Sequence, residues 1–346
     1  MHKRAQAIII ILWILIILTV LAVSIGHRVS LTLRISRYQR DSLKAHYLAM
    51  AGINRAIAEL KNDSSSTSDA LTESWADNPA VFQNNNKFFT DTEEIAEVKY
   101  TLENNGTSET KYGARDEDGK ININTASETL LTKLFQACGV ATQQEAQQLA
   151  KDILIWRGDP SSVLDPQTVD DYRNLGYDCK RAPFKNSEEI ILVKGMAELA
   201  NTNLDAFNAI KNAITVYGTS QSVNINTASD KALLAVLLLA QETSGSGTPS
   251  LANQIAVDIR KYLTEEASVP FTDAGTITSI LIQQDNQLPS GDTPLIIDNA
   301  KFFVTSSFFR ICASGTYRGV TKDIEVVYQR DLANPDNAKI LYWHEN

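Results

Sequence analysis

Residues 7 to 25 form an almost unbroken apolar run, interrupted only by Thr19 and Ser24. At about 1.5 Å of rise per residue, such a run roughly matches the 30 Å hydrocarbon core of a bilayer. Lys3 and Arg4 precede it, and no later segment matches its length or purity. This restricts the chain to a short charged head, one membrane helix and a large polar body on one side. A cleaved secretory signal has an apolar stretch of about 7–15 residues and a small-residue exit. The exit here reads Ile25-Gly26-His27-Arg28, so an anchor that stays is expected.

The helix is expected to continue past the membrane. From His27 to Leu60 there is no proline, and apolar residues recur at helical spacing: Leu31, Ile35 and Tyr38, then Leu43, Tyr47, Met50, Ile53, Ile57 and Leu60. Arg28, Arg34, Arg37 and Arg40 line the first turns of this stem, either as a solvated face or as ligands for lipid headgroups. They outnumber Lys3 and Arg4, so charge alone does not set the orientation of the anchor. The stem ends at the polar linker Lys61–Ser68.

Beyond the linker, strand-like runs at Ile95–Leu102 and Lys120–Ile123 give way to segmented helical patterns from Ser127 to Val216. A second helical stretch covers Asp230–Leu239 and Leu251–Thr264. Strands return at Lys301–Ser314 and Lys322–Arg330, joined as a hairpin around Gly315–Gly319. The order predicts an α+β body with an interruption. A net charge of −9 argues against a nucleic-acid surface as the main business of the chain. The cysteines Cys138, Cys179 and Cys312 have no C-x-x-C spacing, so a structural zinc site is not indicated. In an oxidising compartment Cys138 and Cys179 are the pair available for a disulfide, with Cys312 left alone.

One phrase occurs twice. Ile121-Asn-Ile-Asn-Thr-Ala-Ser127 returns as Val223-Asn-Ile-Asn-Thr-Ala-Ser229, 102 residues later. Each copy follows a turn, reads as a short strand and hands over to a helix. Asn124, Thr125, Asn226 and Thr227 are the expected N-caps at these hinges, because their side-chain oxygens can accept first-turn amides. Thr125 with Glu128 also fits a capping box.

After the first copy, Leu130, Leu131 and Leu134, then Cys138-Gly139-Val140, then Leu149, Ile153 and Trp156-Arg157 predict two helices and a tight turn. A second pair follows around Lys194-Gly195-Met196 and Leu204–Ile214. This resembles the paired helix-hairpin-helix modules that hold DNA backbones, which makes a membrane-tethered DNA-uptake protein the alternative reading. The hairpins lack the Gly-Ile-Gly of such modules, and Thr125–Val216 carries 12 acidic against 9 basic residues. That balance removes most of the counterion-release drive for phosphate binding, so no nucleic-acid partner is expected.

The order of features along the whole chain is more specific. It comprises the N-terminal apolar helix, Asp118-Gly119-Lys120 leading into the first repeated phrase, and Asp152-Ile-Leu-Ile-Trp156-Arg157. Asp170-Asp171-Tyr172, Ala182-Pro183-Phe184 before Glu188-Glu189, Ile214-Thr-Val-Tyr217, the second phrase and the Phe302–Ala313 strand complete it. This order resembles the type II secretion minor pseudopilin family called component K. The resemblance implies an α+β, type IV pilin-like fold: a long N-terminal helix on an antiparallel sheet, with an inserted helical domain of helix-hairpin-helix or SAM-like type. It assigns residues 1–5 to a prepilin leader, 6–26 to the membrane part of the helix and 27–61 to a periplasmic stem. The pilin-like domain would occupy 62–124 and 215–346, around an insertion at 125–214.

The resemblance further implies cleavage by prepilin peptidase between Ala5 and Gln6, N-terminal methylation, and a single pass through the inner membrane with the body in the periplasm. Its implied partners are minor pseudopilins I and J and other pseudopilins. Major pseudopilins carry glutamate at the fifth mature position, where this chain has Ile10. An anchor without that charge, and an insertion too bulky for a filament interior, suit a subunit at the tip. The family also binds calcium in its head, and the acidic loop with Asp159, Asp165, Asp170 and Asp171 is the candidate ligand set. Catalysis is not expected. His2, His27, His46 and His344 lie on the leader, stem and tail, and no G-x-S-x-G, H-E-x-x-H or phosphate loop is present.

Overall fold

One helix, α1 (His2–Asn62), carries both the apolar run and the stem without a break. At 1.5 Å per residue it is about 90 Å long. The computed structural model describes residues 2–63, 67–83, 94–104, 107–266, 270–284 and 297–346, with side chains from residue 11 onward except those of residues 103, 104, 107, 265, 266, 284 and 335. From Ile11 to Arg40 every side chain is exposed, and burial starts at Asp41. Among the described residues, α1 is the one helix long and apolar enough to cross a membrane.

The second half of α1 packs on an antiparallel sheet of β1 (Glu94–Val98), β9 (Phe308–Tyr317), β10 (Val320–Gln329) and β11 (Lys339–Glu345), with β4 (Arg115–Asp116) on the end of β9. Small residues allow the close approach. A Cβ on Gly315 of β9 would stand 2.1 Å from the Ala45 carbonyl oxygen, and one on Gly52 would meet Ala313 and Val98 at 3.1 Å. Alternate residues of β9, Phe309, Ile311, Ala313 and Tyr317, are buried against the helix, as a half-covered strand requires. The β9–β10 hairpin closes through Arg318 and Gly319, both at positive φ (49° and 79°). That backbone matches the right-handed twist of the flanking strands. A short helix α2 (Pro79–Phe82) and a separate hairpin of β2 (Tyr100–Asn104) and β3 (Thr107–Lys111) complete this half. The α+β pilin-like architecture expected from the sequence is therefore present.

The helical part is larger than the sequence boundaries allowed. The pilin-like core joins Ala49–Leu60, Trp75, Phe82 and Val98 to residues of β9 and β10. A second core runs continuously from Ile121 to Phe302. The insertion expected at 125–214 thus extends to about residue 305, because the segment after the second repeated phrase buries its apolar residues with the helices and not on the sheet.

The two halves of the insertion repeat one plan. The first runs β5 (Ile121–Asn122), α3 (Glu128–Ala137), α4 (Gln143–Arg157), α5 (Pro166–Asn174), α6 (Met196–Thr202), α7 (Leu204–Ala213) and β6 (Ile214–Thr215), with β6 parallel to β5. The second runs β7 (Val223–Asn224), α8 (Asp230–Ser244), α9 (Pro249–Lys261), α10 (Ile277–Gln284) and β8 (Phe302–Phe303), with β8 parallel to β7. Helices α3 and α8 pack side by side. Glycines at positive φ, Gly139 and Gly245, follow α3 and α8, and threonines, Thr142 and Thr248, cap α4 and α9.

Candidate functional site

The repeated phrase builds the same device twice. Ser127 and Ser229 are the N-caps, each accepting a backbone N–H at 3.2 Å, from Leu130 and Ala232 respectively. The cap expected at Asn124, Thr125, Asn226 or Thr227 therefore lies two or three residues later in the phrase, at Ser127 and Ser229, and Thr125–Glu128 is not a capping box. The asparagines hold tertiary structure instead. Asn124 Oδ1 accepts the Phe184 N–H at 2.8 Å while its Nδ2 donates to the Phe184 carbonyl at 3.0 Å. Asn226 grips Phe271 in the same two-bond manner, at 2.9 and 3.0 Å. The first asparagine of each copy turns the chain: Asn122 Oδ1 accepts the Asn124 N–H and Asn224 Oδ1 accepts the Asn226 N–H. Two residues past each gripped phenylalanine, Asn186 and Asp273 cap a short 3-10 turn.

The second copy also joins the helical body to the pilin-like half. Asn224 Nδ2 donates to the Asp69 carbonyl at 3.1 Å, to Ser306 Oγ at 2.8 Å and to Asp116 at 3.3 Å. Asp116 Oδ2 also accepts from Thr227 and Ser306 hydroxyls. Arg330, at the end of β10, donates to both oxygens of Asp69 at 2.5 and 2.6 Å and to Asp63 at 3.1 Å. Asp118 receives the backbone N–H groups of Ser307 and Phe308 at 2.6 and 3.1 Å. Burial, then the neighbouring Asp118, pushes Asp116 up to about 8, against the donors that would lower it. Beside it, Glu117 is wholly buried; burial opposes its charge, but Lys120 and Arg310 hold it below the usual carboxylate range. It accepts from Lys120 at 2.5 Å, Arg310 at 2.8 Å and Thr215 at 2.6 Å. Nothing in the repeated phrase alone identifies these partners, which come from residues 69, 116, 306 and 330.

The four loop aspartates are engaged separately. Asp159 holds Arg157 and Ser161, Asp165 caps α5 through Thr168, Asp170 pairs with Arg173, and Asp171 pairs with Lys194. Among the described residues, the carboxylates with ligand atoms within 4.8 Å of one another are Asp63, Asp69 and Glu73, where Arg330 already neutralises part of the charge. The loop thus shows no preformed ligand set for calcium. Cys138, Cys179 and Cys312 are all free thiols, so the Cys138–Cys179 pairing is not formed. Burial pushes Cys138 up to about 12 and Cys312 up to about 11, which leaves both unreactive at neutral pH. Ala5 and Gln6 fall within α1, but their side chains lie outside those described.

The described surface carries several depressions. A groove of about 550 Å³ runs between α1 and the edge strand, lined by Tyr38, Leu43, His46, Ile324 and Glu345. A cleft of about 600 Å³ lies between the β2–β3 hairpin and α7–α8, lined by Leu102, Arg115, Cys138, Asn212 and Lys231. His46 faces Glu345 at 3.6 Å and His344 contacts Asn346, so neither imidazole adjoins a nucleophile.

No protein-family model and no curated protein matches the sequence. Among solved structures, a chain of the GspK-GspI-GspJ complex from the type 2 secretion system of enterotoxigenic Escherichia coli is similar. The match has a TM-score of 0.62 and 15% identity, and covers 90% of this chain and 99% of that one. The two chains share a fold. The likeness spans both the pilin-like half and the inserted helical body, since 90% of the chain could not be covered by either alone.

Proposed function

We propose that this chain is a minor pseudopilin of a type II secretion system, a structural component without catalytic activity. In this reading it sits at the tip of the periplasmic pseudopilus, where it initiates assembly and caps the filament. The observation that carries the reading is the full-length fold likeness to a chain of a GspK-GspI-GspJ complex. It is supported by the exposed apolar first half of α1, by Ile10 where a shaft subunit would need an acidic residue, and by the bulk of the doubled helical insertion. Cleavage between Ala5 and Gln6 by prepilin peptidase, and a single-pass inner-membrane location with the body in the periplasm, belong to the same proposal.

The deciding experiment is co-purification of the chain with the I and J minor pseudopilins of its own organism. A stable ternary complex is expected, and no association with either partner overturns the reading. Calcium at the 159–171 loop is a separate part of the proposal. Binding there must draw Asp165 from Thr168 and Asp171 from Lys194, so the loop has to rearrange. Calcium should then raise the melting temperature and EDTA lower it, whereas no change in either removes calcium from the reading.

A further inference from the structure

Charge is segregated along this chain. The first forty residues carry six Lys and Arg and no Asp or Glu, while the remaining 306 carry 26 basic against 41 acidic residues, a balance of −15. The boundary coincides with a structural one, since side chains are exposed up to Arg40 and burial begins at Asp41. Arg40 pairs with Asp41 at 2.9 Å. Arg28, Arg34 and Arg37 form no ion pair within 4.0 Å among the described residues, Asp41 being taken by Arg40, and their side chains are exposed.

We propose that Arg28, Arg34 and Arg37 form a phosphate-binding collar for anionic phospholipid headgroups in the leaflet facing the body. The proposal rests on the membrane-anchor reading of α1. By helical rise, Arg28 lies about 4–5 Å past Ile25, within a headgroup layer that adds about 5–8 Å to each side of the hydrocarbon core. Arg34 and Arg37 follow about two turns further out, and helical side chains lean back toward the N-terminus, here toward the bilayer. Every cation in this segment is arginine, whose planar fork bonds phosphate oxygens in pairs and sheds water more easily than an ammonium.

The occupant follows from geometry. Arg34 and Arg37, three residues apart, share a face of α1, and Arg28 lies around the helix from them. Cations spread around a helix suit a surrounding lipid annulus better than a protein docked on one side. The acidic body, carried further out on the same helix, is repelled by an anionic leaflet, so the collar is the part of the chain that such a leaflet can hold.

Native mass spectrometry of the full-length chain, released from micelles containing equal phosphatidylglycerol and phosphatidylcholine, tests this. The wild-type chain should retain phosphatidylglycerol selectively. Each arginine near an anionic surface is worth about five-fold, so the Arg28→Gln/Arg34→Gln/Arg37→Gln variant should lose roughly ten-fold or more of that selectivity. The corresponding triple Lys variant should keep part of it. Equal retention of the two lipids by wild type, or unchanged selectivity in the Gln variant, overturns the collar. Loss of the lipid on adding inorganic phosphate alone points instead to a general anion site, and self-association replacing lipid points to the acidic body of a second copy; either result also overturns it. A chain that stays soluble without detergent and retains no lipid refutes the anchor reading itself, a distinguishable failure.

Discussion

Asp116 shows how a single buried carboxyl ties the two halves of the molecule together. Its oxygens accept from the Thr227 and Ser306 hydroxyls, the Asn224 amide and the Asp118 backbone, all neutral donors, and no cation among the described residues pairs with it. Arg330 and Asp69 lie in the same network, but Arg330 spends its donors on Asp69, Asp63 and the Ser306 carbonyl. Burial, followed by Asp118, therefore raises Asp116 to about 8, well above its unfolded value near 3.8. An acid raised on folding contributes its full stability below the unfolded value and loses it as pH climbs through the folded one. Glu117 has the opposite sign, so its loss falls in acid, below the window in question. Melting temperature of the full chain should thus fall between pH 5 and 8.5. Asp116→Asn should flatten that fall, by on the order of 1–3 kcal/mol across the range. Glu73, raised to about 7 by burial, and Asp118 and Asp152, raised to about 6 by burial, leave a residual slope of the same sign, while Lys120, lowered to about 7 by burial, opposes the fall above that pH. An unchanged slope in the Asn variant would assign the pH dependence to other groups.

At the scale of elements, the repeated phrase was legible as a strand-to-helix hinge but not in its internal roles. Asn, Thr and Ser all cap helices, so a phrase containing all three leaves the cap ambiguous from sequence. The structure resolves it because Asn124 and Asn226 are occupied by Phe184 and Phe271, 60 and 45 residues away, which leaves the local amides to Ser127 and Ser229. Ser229→Ala should cost about 1 kcal/mol, read as a lowered midpoint in chemical unfolding, whereas Asn226→Ala should cost more because it strands two buried backbone groups. Equal costs would mean that the asparagine grip adds nothing. The second helical module was also written in the sequence, in the Pro-Phe pairs at 183–184 and 270–271 and the Asn186 and Asp273 that follow each by two residues. Its helices are of different length from those of the first, which hides the duplication from a fixed-offset comparison. Strand β11 left little trace, because it pairs along one edge only and exposes Ile340, Leu341 and Trp343, so no buried alternation marks it. The stem, by contrast, was fully legible, since a helix without proline that alternates its apolar residues at 3.6 spacing has few other ways to fold.

For the molecule as a whole, the decisive feature is where the helical body leaves and re-enters the pilin-like half. Glu117 donates its backbone N–H to the Phe308 carbonyl at 2.9 Å, and β4 pairs with β9 one residue before, so exit and entry are adjacent. Each half also has its own core, one drawn from α1, β1, β9 and β10, the other from Ile121 to Phe302. A body inserted between neighbouring strand positions, with a separate core, can be removed without stretching the sheet. Replacing residues 118–306 by a short Gly-Ser linker should therefore leave a chain that folds. The Asp69–Arg330 pair stays within the retained part, while Asp116 loses Asn224, Thr227 and Ser306 and becomes an ordinary solvated acid. Circular dichroism of the shortened chain in detergent should keep strand and α1 signals, with a cooperative melt lowered by the lost junction bonds. The same protein should show none of the fall in stability with rising pH that Asp116 imposes on the full chain. A non-cooperative melt would mean that the sheet depends on the helical body to fold. The two would then be one structural unit, and the junction network would be part of the pilin-like core.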